Sequence, residues 1–400
     1  MFYVQVARLE DPDGVGREPL LIVGGSASGR GVVTSASYEC RKFGVRSAMP
    51  TAEALRLCPE AVVVGVPRGS VSRRSRAVRE ALEDRSPVVQ AASVDEFYLD
   101  LTGTERLFHH EPLEVTATRI REEVLAETGI SVSIGGGTNR LVAKLAARPA
   151  KPGGVFIVPS GEEEAFVGGL ELRDLPGVGP ALLRTLRERG LETIADTRGV
   201  GLDWLERWLG ESRARWLDRR MRGRDESDVV HGEGRKSISA ERTFSKDIDD
   251  DDELGRRLLA LTVSITGTLR DKGLLARTVT VKLRDNDFTT RQRSQTFPEP
   301  VESDRVVYPV ARTLLLELRD RRRRPTRLIG VGLSNLLEGP APRQMALFES
   351  REPHETEADR ALNRAVDGLR SRFGRDAVLP GGMVNTREES ARDGREHDGR

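Results

Sequence analysis

Asp95 and Glu96 stand side by side in SVDEFYLD, residues 93–100. Adjacent carboxylates repel each other and are costly to desolvate. A divalent cation offsets both effects. Mg²⁺ in particular is held by one or two carboxylates plus substrate phosphates rather than by a closed protein cage. The pair therefore reads as a metal-assisted centre for a phosphate-bearing substrate. A solvated acidic turn is the bland alternative, weakened by the flanking Ser93-Val94 and Phe97-Tyr98-Leu99-Asp100. A second signal is the turn in LPGVGPALLRTLRERG, residues 175–190. There Gly177 and Gly179 let backbone N–H groups approach a phosphate at a helix start, although such turns also join helices that bind nothing. A third is the basic alternation Arg277, Lys282, Arg284, then Arg291 and Arg293. At period two these fall largely on one sheet face, which suits DNA-backbone contact without base reading.

These residues sit in a chain of 400, with 64 Lys plus Arg against 63 Asp plus Glu and a net charge of +1. That balance excludes a uniformly basic coat protein, but not opposite charges sorted onto different faces. Charged residues are 32 %, hydrophobic 37 % and aromatic 4 %, so aliphatic cores in several globular domains are expected. Two cysteines, Cys40 and Cys58, exclude a disulfide scaffold and a cysteine zinc module, and they fit a reducing, cytoplasmic setting. No apolar run approaches the roughly 20 residues of a spanning helix, and MFYVQVARLEDPDG lacks the order of a signal peptide. The sequence carries no oligomer signal, and a monomer is expected.

The elements that must position these groups follow from periodicity. An N-terminal strand carrying Phe2 and Tyr3 is expected, then the strands LLIVGG and GRGVVTSAS, and a helix TAEALRLC capped by the Thr51 hydroxyl. The carboxylates lie in a strand–turn–strand, VVQAASVDEFYLDLTG, followed by a helix over 112–128, a strand ISVSIG and a helix NRLVAKLAAR. Short helices with glycine breaks fill 166–232. From about 235 the order is βαββαβ, with both helices expected on one sheet face and the acidic run Asp249 to Glu253 starting the first of them. The tail has one amphipathic stretch, ALNRAVDGLRSRF, and a polar end expected to be disordered.

SVDEFYLD resembles the carboxylate motif of the Y-family translesion DNA polymerases, of the DNA polymerase IV type. GVVTSASYECRKFGVRSAMP (31–50) resembles that family's fingers segment, and SIGGGTNRLVAKLAARPAKPGG (133–154) its palm helix and Lys-Pro-Gly turn. The resemblance continues to about residue 338. It implies an α+β multidomain fold, a right-hand polymerase with fingers at 1–66, which would include the N-terminal palm strand, and palm at 67–165. A helix-hairpin-helix thumb at 166–232, a βαββαβ little finger at 233–338 and a tail at 339–400 would complete it. It further implies two Mg²⁺ ions on Asp95 and Glu96. Tyr3, Ser35, Tyr38, Arg41 and Lys151 would surround a deoxynucleoside triphosphate, with Tyr3 as the steric gate against a 2′-hydroxyl. Two hydroxyl donors and two cations suit a tri-anion. Gly177, Gly179 and the five basic residues of the βαββαβ module would hold primer–template DNA. QMALF resembles a sliding-clamp-binding peptide, with Gln344 at a pocket mouth and Leu347 and Phe348 as anchors.

The sequence departs from the pattern at its start. The family carries an Asp-x-Asp strand just before Phe-Tyr, and here Met1 precedes Phe2. Asp11 and Asp13 are poor substitutes. A start lying upstream explains this and is favoured by the intact downstream pattern. The alternative is a non-catalytic protein that binds primer–template and clamp. Phe97 is larger than the family's usual residue, and Gly135-Gly136-Gly137 suggests extra flexibility. A third function, a helix-hairpin-helix glycosylase or nuclease, would need a catalytic residue beside the hairpin. Asp174 and Asp196 stand in no recognisable site.

Overall fold

The alternation Phe2-Val4-Val6, expected to be a strand, folds as a helix, α1 (Phe2–Glu10). Phe2 and Val6, four residues apart, face one apolar cluster, while Val4 and Ala7, three apart, face another with Leu21 and Val23. A strand would offer Phe2, Val4 and Val6 to a single face; two cores on two sides demand the helical period instead. This computed structural model describes residues 1–232, 234–339, 355–374 and 376–383. The chain divides into two compact units, 1–233 and 234–400.

In the first unit, β1 (Leu21–Gly24) lies between an antiparallel β2 (Val33–Ala36) and a parallel β3 (Val62–Val64). Helices α2 (Tyr38–Lys42) and α3 (Thr51–Leu57) belong to this lobe, whose core includes Ile22, Val33, Cys40, Ala54 and Cys58. Both cysteines are buried and unbridged. Thr51 begins α3 but does not cap it: Pro50 occupies the cap position. Ser37 is the capper sequence reading passed over, its Oγ accepting from the Cys40 N–H at 3.2 Å.

Next come α4 (Arg68–Glu83), the hairpin β4 (Val88–Ala91) and β5 (Phe97–Asp100), α5 (Leu113–Thr128), β6 (Ile134–Gly136), α6 (Arg140–Ala146) and β7 (Val155–Ile157). Phe2, Val6, Val78, Leu82, Ile120 and Val124 form the core beneath the hairpin. β6 pairs with β7 in parallel, and among the described residues β5 pairs only with β4. The glycine run at 135–137 reflects close packing rather than freedom, since a Cβ on Gly135 would stand 2.0 Å from the Ala147 nitrogen. Helices α7 (Glu163–Gly168), α8 (Pro180–Arg187), α9 (Ile194–Gly199), α10 (Leu202–Leu209) and α11 (Glu211–Met221) then close around Leu172, Leu186, Ile194 and Leu217.

The second unit runs β8 (Ser237–Ile248), α12 (Asp251–Asp271), β9 (Leu274–Asp285), β10 (Thr290–Val301), α13 (Asp304–Arg321) and β11 (Thr326–Glu338). The sheet order is β10-β9-β11-β8, with every pair antiparallel. Leu254, Leu258 and Ile265 of α12 and Val307, Leu314 and Leu315 of α13 pack on Val279, Val281, Ile329 and Val331, so both helices cover one face as expected. The acidic run starts α12, with the Asp250 carboxylate accepting from the Glu253 N–H at 2.6 Å.

The amphipathic tail segment is helix α14 (Glu357–Phe373). It docks through its polar side: Asp367 takes Arg270 at 2.6 Å and Asp359 takes Arg305 at 3.3 Å, while Leu362, Leu369 and Phe373 stay exposed. QMALF at 344–348 and the polar end beyond 383 lie outside the described residues. Among the described residues no helix is long and apolar enough to cross a membrane.

Candidate active site and nucleic-acid interface

The β4–β5 turn carries the carboxylates. The Ala92 and Ser93 N–H groups both donate to the Glu96 carbonyl, closing a tight hairpin that leaves Asp95 exposed at its tip and Glu96 half-buried. Ser93 Oγ donates to Asp95 Oδ1 at 2.7 Å and orients that carboxylate. Glu96 is ion-paired with Lys144 of α6. One turn earlier on the same helix, the Arg140 guanidinium lies 4.6 Å from the Tyr98 ring centroid. Burial pushes the Tyr98 phenol up, with Glu96 adding to the rise and Lys144 and Arg140 opposing it. Neither cation of α6 was singled out from sequence. Their i,i+4 spacing places both on one face of α6, but nothing in the sequence ties that face to a motif 48 residues before Lys144.

The carboxylate pair fits a divalent ion on its donor chemistry: two hard oxygen donors, one held by a serine and one countered by a lysine. Among the described residues no three acids, histidines or cysteines gather as a metal cluster. Asp11 and Asp13 do not join the pair. Asp11 closes its own turn, accepting from the Gly14 N–H at 2.9 Å, and Asp13 pairs with Arg17.

The residues assigned to the triphosphate come partly together. Burial lowers the pKa of the Met1 amino group, Arg41 and Lys151 push it the same way, and Asp95 opposes them. Arg41 is anchored by Nε donating to the Ala36 carbonyl at 3.0 Å and lies 5.6 Å from the Tyr38 ring centroid. Lys151 is exposed in the loop after α6, where its peptide bond to Pro152 is cis. Ser35 is only 4 % exposed. Tyr3 stands on α1 rather than on a strand, half-buried and edge-on to Phe2 at 6.0 Å.

Gly177 has φ +95°, and a Cβ there would lie 2.6 Å from the Trp216 ring; Gly179 caps α8, with Pro180 as its first residue. Glycine at 177 is thus required by the fold itself. Asp196 is consumed in a capping box with Thr193, and Asp174 pairs with Arg148.

The five basic residues of the sheet do not share a face. Gln292 pairs with Lys282, so Arg291 falls opposite Leu283 and Arg293 opposite Val281, on the helix-covered side. Arg291 binds the buried Asp285 carboxylate at 3.0 Å and the Leu318 carbonyl, and Arg293 pairs with Glu317 of α13. Both tie sheet to helix. Arg277 shares their parity and is exposed near the start of β9. Lys282 and Arg284 point to the open face, where Lys282 meets Glu241 and Arg284 donates to Thr290 Oγ1 at 2.8 Å. The rest of that face is small and polar, with Thr280, Ser294, Gly332 and Ser239 in line across all four strands. The repeats S-x-S-x-E, T-x-T-x-K and G-x-G-x-S carried that signal in the sequence.

Residues 1–148 match the impB/mucB/samB family, and residues 235–347 match that family's C-terminal domain. A DNA polymerase IV of Caulobacter vibrioides is 36 % identical over 387 residues, which is 96 % of this chain and 93 % of that protein. A DNA polymerase IV of Halorhodospira halophila is 39 % identical over 87 % of this chain and 96 % of that protein. Among solved structures, the Y-family DNA polymerase chimera Dbh-Dpo4(243-245)-Dbh is similar with a TM-score of 0.76 at 26 % identity, covering 84 % of this chain and 97 % of that one. The insertion ternary complex of Dbh DNA polymerase has a TM-score of 0.59 at 26 % identity, with the same coverage. The fold is that of a right-hand polymerase with a βαββαβ little finger, and the chain belongs to the impB/mucB/samB family, the Y-family DNA polymerases of the DNA polymerase IV type.

Proposed function

We propose that the turn bearing Asp95 and Glu96 is the centre at which this chain, a lesion-bypass DNA polymerase, joins a deoxynucleotide to a primer 3′-hydroxyl. The observation that carries the assignment is the pairing of two accessible carboxylates with oriented partners, Ser93 on one and Lys144 on the other. The family is divalent-metal-dependent; two Mg²⁺ ions are our finer reading. Bound there, they would lower the pKa of the attacking hydroxyl and neutralise the leaving pyrophosphate. The chain's own residues supply the rest. Asp95 and Glu96 would hold the ions. Tyr38, Arg41 and Lys151 meet the triphosphate with a hydroxyl and two cations, and Ser35 adds a second donor beneath them. Lys144 fixes the Glu96 carboxylate and limits its repulsion by Asp95. Arg140 steadies Tyr98 just behind it.

The test is single-nucleotide addition to a primer with and without Mg²⁺. Lys144→Ala is expected to lower the rate by about tenfold or more, as losses of supporting partners at metal sites do, and to raise the Mg²⁺ concentration needed for half-maximal rate. Lys144→Arg is expected to recover most of it. An unchanged Mg²⁺ requirement would make the pair a surface contact. Tyr3→Ala is expected to raise ribonucleotide incorporation relative to deoxynucleotide, scored in competition assays. Unchanged sugar discrimination would leave Tyr3 a packing residue of α1.

We assign primer–template contact to the loop at Gly177 and Gly179 and to the open face with Lys282 and Arg284. Arg277 is kept as an edge contact, and Arg291 and Arg293 serve the sheet–helix seam. Sliding-clamp contact through Gln344, Leu347 and Phe348, a monomeric state and a cytoplasmic location complete the reading. The two buried, unbridged cysteines fit that location. The domain limits we assign are fingers to 66, palm to 165, thumb to 232 and little finger to 338.

A further inference from the structure

Phe288 sits in the short turn between β9 and β10, 63 % exposed and with φ +65°. That backbone conformation is one glycine adopts without strain and side chains with a Cβ seldom do. An exposed phenylalanine alone needs no explanation. This one is held in place from several sides. Its N–H donates to the Asp285 carbonyl at 3.0 Å, the Asn286 N–H to the Pro325 carbonyl at 3.0 Å, and the Thr289 N–H to Asp287 Oδ1 at 3.0 Å. Arg322 clamps both Asp285 and Asp287. The ring meets one cation: the Arg327 guanidinium lies 4.6 Å from its centroid.

The charge at this tip is positive. Its two acids are already matched, Asp285 by Arg291 and Arg322 and Asp287 by Arg322. Arg327 beside the ring and Arg284 on the adjoining strand end set the sign of the surface. The tip continues the open polar face at its Arg284 end. A rigidly displayed ring with one arginine on its face and a second on the adjoining strand end fits a base stacked on the aromatic with its phosphates on the arginines. Bases inside a duplex are already stacked and offer no free face, so the fitting ligand is an unpaired nucleotide.

We propose that Phe288, with Arg327 and Arg284, forms a stacking site for an unpaired nucleotide of the template strand. This rests on reading the open face as the DNA-facing one and adds to it a contact that distinguishes single-stranded from duplex DNA.

The test compares a primer–template carrying a 5′ template overhang with a blunt duplex, by fluorescence anisotropy on the full chain. Phe288→Asn removes the ring while keeping a residue that tolerates φ above zero. It is expected to weaken overhang binding by about fivefold or more and to leave blunt-duplex binding within about twofold, smaller than the stacking loss. Phe288→Trp is expected to keep overhang binding, with tryptophan fluorescence quenched by overhang DNA and not by blunt duplex. Equal weakening of both substrates overturns the proposal, as does unchanged binding of both. So does a Phe288→Asn variant that loses a protein partner while binding DNA as before. If Phe288→Asn alters the melting transition, the Phe288→Trp quench decides. A Lys282→Ala/Arg284→Ala variant separates the two readings. If it weakens DNA binding while Phe288 changes do nothing, only the stacking site fails. If it too binds normally, the open-face reading falls with it.

Discussion

Asp95→Asn and Glu96→Gln are each expected to reduce nucleotide addition by about a thousandfold or more, the scale of losing several kcal/mol of transition-state stabilisation by a metal ion. Primer–template affinity is expected to stay within about twofold of the parent, because the DNA contacts assigned to the helix-hairpin-helix and the open sheet face do not involve these carboxylates. Rapid-quench kinetics beside anisotropy would separate the two effects. Both side chains keep their size in these variants, and the hairpin is closed by backbone hydrogen bonds from Ala92 and Ser93 to Glu96, so the fold should survive. Retained synthesis in either variant would remove the metal assignment. A matching loss of DNA affinity would mean that the turn serves the fold rather than the chemistry.

The second large effect is expected far from that turn. Arg319 of α13 is fully buried. Its Nε donates to Asp251 Oδ1 at 2.8 Å, and its Nη2 to the Asp249 carbonyl at 2.7 Å and to Asp249 Oδ1 at 2.5 Å; the Arg324 carbonyl takes Nη1. One guanidinium thus ties the start of α12 to the end of α13. Arg319→Ala is expected to destabilise the little finger by about 1.5–3 kcal/mol, since it removes charge-assisted hydrogen bonds to Asp249 and Asp251 and opens a cavity, while the exposed Asp249 carboxylate returns to water. Arg319→Lys is expected to recover little, because an ammonium cannot make the planar fork. Denaturant unfolding of the full chain measures both, and a shift below about 1 kcal/mol for Arg319→Ala, the range of a surface pair, would show that the pairing is replaceable. The hydrogen bond from Arg319 also holds the Asp249 carboxyl below its ordinary value. A folded-state value below the unfolded one makes this contribution present above about pH 4 and lost as pH falls through the folded value. The same acid-side loss is expected for Asp287 beside Arg322.

Much of the architecture was legible because it rests on period and composition. The βαββαβ order, both helices on one face and the acidic start of α12 followed from apolar spacing and from Asp249 to Glu253. The carboxylate hairpin was legible because apolar flanks bracket two acids. What failed did so for specific physical reasons. Phe2-Val4-Val6 carries a strand period, and only the presence of two cores, one on each side, makes it a helix. Thr51 has a capping side chain, but the chain enters α3 one residue earlier, at Pro50. The basic alternation in β9 and β10 was read as one face, whereas the face of Arg291 and Arg293 depends on the Gln292–Lys282 register, which the turn sets and no single-strand pattern reveals. Lys144 was missed because an ion pair across 48 residues leaves no local trace.

Copying past template damage is expected to depend on the Asp95–Glu96 turn. Its most direct test is primer extension on a template with an abasic site, with Mg²⁺ and four deoxynucleotides, comparing the parent with Glu96→Gln. Extension beyond the lesion is expected of the parent, abolished by chelation and by Glu96→Gln. Stalling of the parent before both damaged and undamaged template bases, with DNA still bound, would contradict it.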